Sequence, residues 1–218
     1  MLFRQNLPDM QSKIRFLHAV PLAQAVDVYL TGSLLGRNLS FSDISCYENI
    51  GAGDYEVQIY PAGIYDKPIF TKNIDILPNT SSTVNIVILG EKIDIFVLND
   101  ANVAGNLTNC FLRFIHLSPN SPLLSLLLPN DITLFGNVEY LETTGYYPLS
   151  PAIYNFKVNF SAVTVLSKYI TDKTLRNGKF YTIYIIGLLN KEPTAGYIMV
   201  EDGKDWKSDC ILLDTVTF

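Results

Sequence analysis

The residues of this chain best suited to acid–base or metal chemistry are its two histidines. They lie in near-identical settings, IRFLHAVP at residues 14–21 and LRFIHLSP at residues 112–119. A metal centre needs three or four converging His, Cys or carboxylate ligands, and each octapeptide offers one imidazole and no second ligand. Nucleophilic catalysis needs a Ser or Cys beside a base that an acid orients, and no G-x-S-x-G frame surrounds any serine. An imidazole that ends a strand just before a proline loop can instead bond loop backbone groups through both ring nitrogens. His18 and His116, with Pro21 and Pro119, are therefore expected to hold loops in place, and no catalytic or metal-ligating residue is assigned.

The remaining candidates carry less chemistry. Asp27 in AVDVYL aligns with Ser125, so no carboxylate is repeated. Glu201, Asp202 and Asp205 in VEDGKD crowd a glycine without the ligand spacing of a calcium loop, which predicts a solvated turn. Tyr47, Tyr146 and Tyr147, in SFSDISCYENI and NVEYLETTGYYPL, form the candidate platform for stacking a sugar. Phosphate-binding glycine loops, H-E-x-x-H and C-x-x-C are absent, and no cofactor is implied. Cys46, Cys110 and Cys210 are odd in number and far apart, which predicts three unpaired thiols packed as small hydrophobes.

Strands must position these residues, because period-two alternation recurs and helical periodicity does not. His116 follows His18 by 98 residues, and the same offset relates Arg15 to Arg113, Phe16 to Phe114 and Pro21 to Pro119. At 99 residues Phe41 meets Tyr140, Tyr47 meets Tyr146 and Tyr55 meets Tyr154, while VNIVILG and YTIYIIG end 97 apart, at Gly90 and Gly187. Two copies of one unit follow from this drift-tolerant repeat. Ile14, Phe16 and His18 share one strand face, as do Leu112, Phe114 and His116; Arg15 and Arg113 fall on the other, expected to face solvent in surface ion pairs. Val26, Val28 and Leu30 form the next inward set, matched by Leu124, Leu126 and Leu128, with Asp27 pointing away. Gly32 and its counterpart Asn130 are expected to close that strand with positive φ. STVNIVILG and KFYTIYIIG are apolar on both faces, as strands in the middle of a sheet would be.

These elements predict an all-β chain of two tandem immunoglobulin-like or transthyretin-like β-sandwich repeats, over residues 1–100 and 110–218. The polar stretch NDANVAGNLTN, residues 99–109, is the expected linker. At the C-terminal end, CILLDTVTF has strand composition and is expected to extend a sheet edge of this chain or of a neighbour.

The bulk numbers narrow the partners. Sixteen Lys+Arg against 21 Asp+Glu give a net charge of −5 with no basic cluster, which argues against nucleic acid. Apolar residues make up 48% and charged residues only 17%, a surplus expected to be covered by something beyond the chain's own core, such as a neighbouring subunit. No apolar run reaches the roughly 20 residues of a membrane span. MLFRQNLPDMQSK lacks the apolar core of a secretory signal, which predicts a cytoplasmic origin and no usual secretory export.

RFLHAVPLAQAVDVYLTG followed by GAGDYEVQIYPAG resembles the bacterial domain of unknown function 4397 family, with its Arg-x-x-His strand, loop, AVDVY strand and Pro-Ala-Gly hairpin. The resemblance runs from Lys13 to Asp202 through both copies; in the second, SLLLPN replaces DVYLTG and the closing Pro-Ala-Gly is missing. It implies a β-sandwich module of surface-associated or secreted proteins, often in tandem, without assigned catalytic residues. The expected function is thus a non-catalytic structural or adhesive surface module that self-associates or joins a cell-surface or spore-coat layer. Spore coats are assembled from the mother cell and need no export signal. Its partners would be further copies or other surface or coat proteins. The alternative is a glycan- or peptide-binding sandwich, and an enzyme is not expected.

Overall fold

The computed structural model describes residues 11–101, 108–161 and 166–203, and the backbone of residues 215–217. Among the described residues every regular element is a strand. The first half contains β1 (Gln11–His18), β2 (Val26–Leu30), β3 (Ser33–Leu39), β4 (Glu48–Gly51), β5 (Gly53–Pro61), β6 (Phe70–Ile76), β7 (Ser81–Leu89) and β8 (Lys92–Asp100). The second contains β9 (Cys110–His116), β10 (Leu124–Leu127), β11 (Thr133–Val138), β12 (Tyr147–Leu149), β13 (Ala152–Phe160), β14 (Leu166–Leu175), β15 (Phe180–Ile186), β16 (Gly196–Asp202) and β17 (Thr215–Thr217).

Each half is sandwich-like, with an inner and an outer sheet. The inner sheets have the orders β4-β1-β7-β8 and β12-β9-β15-β16-β17; the outer sheets have the orders β3-β2-β5-β6 and β11-β10-β13-β14. At the centre of each inner sheet a parallel pair, β1 with β7 and β9 with β15, brings Arg15 opposite Thr83 and Arg113 opposite Thr182. The strand orders of the halves thus correspond, apart from β17, which adds antiparallel to β16 of its own chain.

Alternation builds three cores. Ile14 and Phe16 pack with Val28, Val57, Ile59 and Val84 between the sheets of the first half. Leu112 and Phe114 pack with Leu126, Phe156, Val158 and Ile183 in the second. The third core lies between the two inner sheets, where Leu17, Ile44, Val87 and Leu98 meet Ile115, Tyr184, Ile186 and Ile198. Both faces of the central strands of the inner sheets are therefore buried, which explains why β7 and β15 carry apolar residues on both faces, with Thr83, Asn85 and Thr182 among the buried polar exceptions. Part of the apolar surplus is used between the two halves, while Leu22, Ile153 and Tyr169 remain exposed.

Several local expectations are corrected. Asp27 does point away from the core, but it is only 2% exposed. Its carboxylate accepts the Asn38 N–H at 2.6 Å, the Gly63 N–H at 2.9 Å and the Tyr65 hydroxyl at 2.8 Å. Ser125 does the first of these jobs in the second half, accepting the Asn137 N–H at 3.0 Å. Asn38 and Asn137, at φ 50° and 56°, sit at the register shifts of β2–β3 and β10–β11, where a bulge needs a side-chain acceptor. After β10 the positive-φ residue is Asp131, not Asn130. The expected linker starts too early, because Asn99 and Asp100 belong to β8. Cys46 is disulfide-bonded, so three free thiols are excluded. Cys110 is a buried free thiol that donates to the Leu149 carbonyl at 3.3 Å, and Cys210 lies outside the described residues.

Gly187 and Gly90 end corresponding strands at φ +82° and +64°, but a Cβ on Gly187 would stand 2.5 Å from the Thr194 carbonyl oxygen, whereas one on Gly90 meets nothing within 4 Å. Both alanine substitutions incur about 1–2 kcal/mol of left-handed backbone cost. Chemical denaturation should show Gly187→Ala losing clearly more than Gly90→Ala; equal losses would mean that the Thr194 contact relaxes freely.

Candidate functional site

A cluster of buried polar side chains lies in the interface between the inner sheets, and it is built from the repeated arginines. Arg15 and Arg113 are 4% and 3% exposed. Their expected placement in solvent-side ion pairs is wrong for a specific reason: the strand face opposite the sandwich core meets the second inner sheet instead of water. Arg15 Nη2 bonds Asp202 Oδ1 at 2.5 Å, while Arg113 Nη2 bonds Asp100 Oδ1. Each arginine thus pairs with the aspartate of the opposite half.

The aspartates are tied to their own halves. Thr83 accepts from Arg15 Nε at 2.7 Å and donates to Asp100 Oδ2 at 2.5 Å, and Tyr47 donates to the same oxygen at 2.7 Å. Symmetrically, Thr182 accepts from Arg113 Nε at 3.0 Å and donates to Asp202 Oδ2 at 2.5 Å, joined by the Tyr146 hydroxyl at 2.8 Å. The guanidinium of Arg15 lies 4.3 Å from the Tyr47 ring centroid, and that of Arg113 lies 4.6 Å from Tyr146. Two guanidinium and two carboxylate groups balance, and each carboxylate accepts three charge-assisted or hydroxyl bonds.

Electrostatics follow from that enclosure. Burial works against both guanidinium groups, but the field of Tyr47, Asp100 and Asp202 around Arg15, and of Asp202, Tyr184 and Asp100 around Arg113, holds each more firmly protonated than a free arginine. Burial, followed by repulsion from Asp100, pushes Asp202 up, and Arg15 and Arg113 oppose it. Burial likewise raises Tyr47 and Tyr146, which keeps their protons available for donation. Beside the cluster, Asn85 Oδ1 and Tyr184 Oη occupy equivalent interface positions and are buried without hydrogen-bond partners among the described residues.

The histidines form two smaller sites. His18 and His116 are fully buried. Val20 N–H donates to His18 Nδ1 at 3.2 Å, and His18 Nε2 lies 3.3 Å from the Gln24 carbonyl. Ser118 N–H donates to His116 Nδ1 at 3.2 Å, and His116 Nε2 lies 3.1 Å from the Pro122 carbonyl. Accepting at Nδ1 and donating at Nε2 defines one neutral tautomer at both places. Each ring ties a strand end to the loop that carries Pro21 or Pro119. Burial lowers the pKa of both imidazoles, that of His116 to about 4.

The three tyrosines of the expected sugar platform separate by role. The Tyr47 and Tyr146 hydroxyls are used inside the interface, and Tyr147, 48% exposed, packs edge-on against Phe135. Glu201 pairs with Lys179 at 2.8 Å, and Asp202 is buried in the cluster, so the expected solvated acidic turn does not hold for Asp202. Asp205 lies outside the described residues. Among the described residues no group of three or more His, Cys, Asp or Glu side chains is placed to hold a metal ion. Sequence reasoning missed the roles of Asp100, Thr83 and Thr182 and assigned Asp202 to a solvated turn. The threonines recur at a 99-residue offset as polar residues within largely apolar strands, and the aspartates end the corresponding strands β8 and β16.

Fold and site define a protein of two β-sandwich halves locked through a buried ionic interface. The chain belongs to the family described as Domain of unknown function (DUF4397), which it matches over residues 12–127, more than half of its length. No curated protein matches the chain. Among solved structures it is similar to a Bacteroides eggerthii protein described as a "putative cell adhesion protein", with 11% identity, 97% of this chain and 96% of that chain covered, and a TM-score of 0.23.

Removing one member of a buried ion pair strands the other charge, at a cost of about 3–5 kcal/mol. Arg15→Met and Asp202→Leu should each destabilise on that scale, while the double variant should lose much less than the sum. Additive losses in a denaturation cycle would show that the two groups do not interact.

Acid should act through His116. Its unfolded pKa is 6.5 and its folded pKa is about 4, so the folded state binds fewer protons between those values. The contribution is complete above pH 6.5 and is lost as pH falls towards 4, on the order of 3 kcal/mol. His116→Gln should flatten the loss of stability over that window; an unchanged slope would place the titration elsewhere.

Proposed function

We propose that this chain is a non-catalytic structural or adhesive module of a bacterial surface. The observation that carries the proposal is the consumption of its reactive groups. Both arginines, two aspartates, two threonines and two tyrosines bond one another inside the interface, and both imidazoles are sealed against loop backbone. A catalytic group must reach a substrate, and none of these ten side chains is arranged to do so. What remains for contact is the exterior of two rigid sandwiches. The disulfide at Cys46 supports an oxidising destination outside the cytoplasm. Assembly with other copies in a cell-surface or spore-coat layer is the finer form of the proposal.

Antibody raised against the purified chain should label intact cells or spores of the source organism, and brief external protease treatment should remove the label. Labelling that appears only after lysis would overturn a surface role.

A further inference from the structure

The outer sheet of the first half carries an aromatic group that the duplicated scaffold does not require. Tyr29 on β2, Tyr60 on β5 and Tyr65 in the loop after β5 contact one another, with ring centroids 5.4 Å, 5.8 Å and 6.1 Å apart. Strand register sets Asp27 opposite Tyr60 and Tyr29 opposite Gln58, so the rings stand on the sheet face away from the sandwich core. At the matching positions of the second half stand Leu127 for Tyr29, Asn159 for Tyr60 and Ser125 for Asp27. That half folds into the same strand order without them.

The group is also fixed in advance. Asp27, itself buried, holds the Tyr65 hydroxyl at 2.8 Å and the Gly63 N–H at 2.9 Å, which pins the loop and the ring across the sheet. Tyr65 nevertheless remains 53% exposed. Polar groups interleave with the rings: the Tyr60 hydroxyl lies 3.4 Å from Gln58 Oε1, and Gln58 Nε2 donates to Glu56 Oε1 at 2.7 Å. Exposed aromatic surface takes the C–H face of a sugar ring, and planar amide and carboxylate groups beside it take the hydroxyls. Anchoring Tyr65 through its hydroxyl removes ordering entropy that binding would otherwise have to overcome.

We propose that Tyr29, Tyr60 and Tyr65, positioned by Asp27, form a binding site for a neutral oligosaccharide. The proposal rests on the adhesive reading above and names its ligand class. A neutral sugar suits the site because the polar groups interleaved with the rings are the Gln58 amide and the Glu56 carboxylate, while Asp27, which feels Arg37, is spent on the Tyr65 hydroxyl and the Gly63 N–H. In it, Tyr65 and Tyr60 contact the ligand and Asp27 is a positioning residue.

The test is an array of neutral and acidic glycans probed with the full chain, followed by calorimetric titration of the strongest neutral oligosaccharide. Tyr60→Ala and Tyr65→Ala should each weaken binding on the order of tenfold or more, and thermal melts should report whether either variant has lost its fold. Tyr65→Phe, which keeps the ring and loses the Asp27 bond, should weaken binding less than Tyr65→Ala. Leu127→Ala in the second half should leave affinity unchanged. An array without neutral hits, hits confined to acidic glycans, or affinity indifferent to Tyr60 and Tyr65 would each overturn the site. Surface labelling of intact cells would stand apart from any of those outcomes.

Discussion

The structure depends on an exchange of ion pairs: Arg15 of the first half bonds Asp202 of the second, and Arg113 of the second bonds Asp100 of the first. Charges this deep are costly to desolvate, and replacing a whole buried pair with apolar residues is often neutral or stabilising. The exchange therefore does more for specificity than for bulk stability. Apolar side chains such as Leu17, Val87 and Ile186 would accept many sliding arrangements of two flat sheets. Two crossed pairs, each locked to its own strand through Thr83 or Thr182, are satisfied together in one arrangement.

From that constraint follows the character of the molecule. The inner sheets become interior elements with two buried faces, and the two sandwiches share one continuous block of packed sheets. Tyr47 and Tyr146 extend the lock outward, each lying under a guanidinium and donating to a carboxylate, so the segments preceding β4 and β12 are tied to the same centre. At the far ends of β1 and β9, His18 and His116 fasten the loops. Chemistry-bearing side chains thus serve the packing of the two halves and of their loops.

Much of the fold was legible in the chain. Alternation in IRFLHAV and AVDVYL, the two-sided apolar runs ending at Gly90 and Gly187, and the repeat offsets all correspond to strands in equivalent places. The face of the arginines was not legible, because period two says that Arg15 opposes Ile14 and Phe16 but not what covers that side. Thr83 and Thr182 gave a fainter signal, as hydroxyls repeated within apolar strands. Their meaning needed the parallel pairing that sets each beside an arginine. The outward face of Asp27 was legible, but not the loop that folds over it and bonds it through Gly63 and Tyr65. The disulfide at Cys46 had no local signature, since sequence spacing alone does not specify which thiols meet.

If the crossed pairs and the apolar face around them join the halves into one body, neither half should unfold without the other. Differential scanning calorimetry of the full chain at neutral pH tests this directly. A single transition with matching calorimetric and van't Hoff enthalpies is the predicted result. Two separable transitions, each carrying part of the total enthalpy, would contradict it.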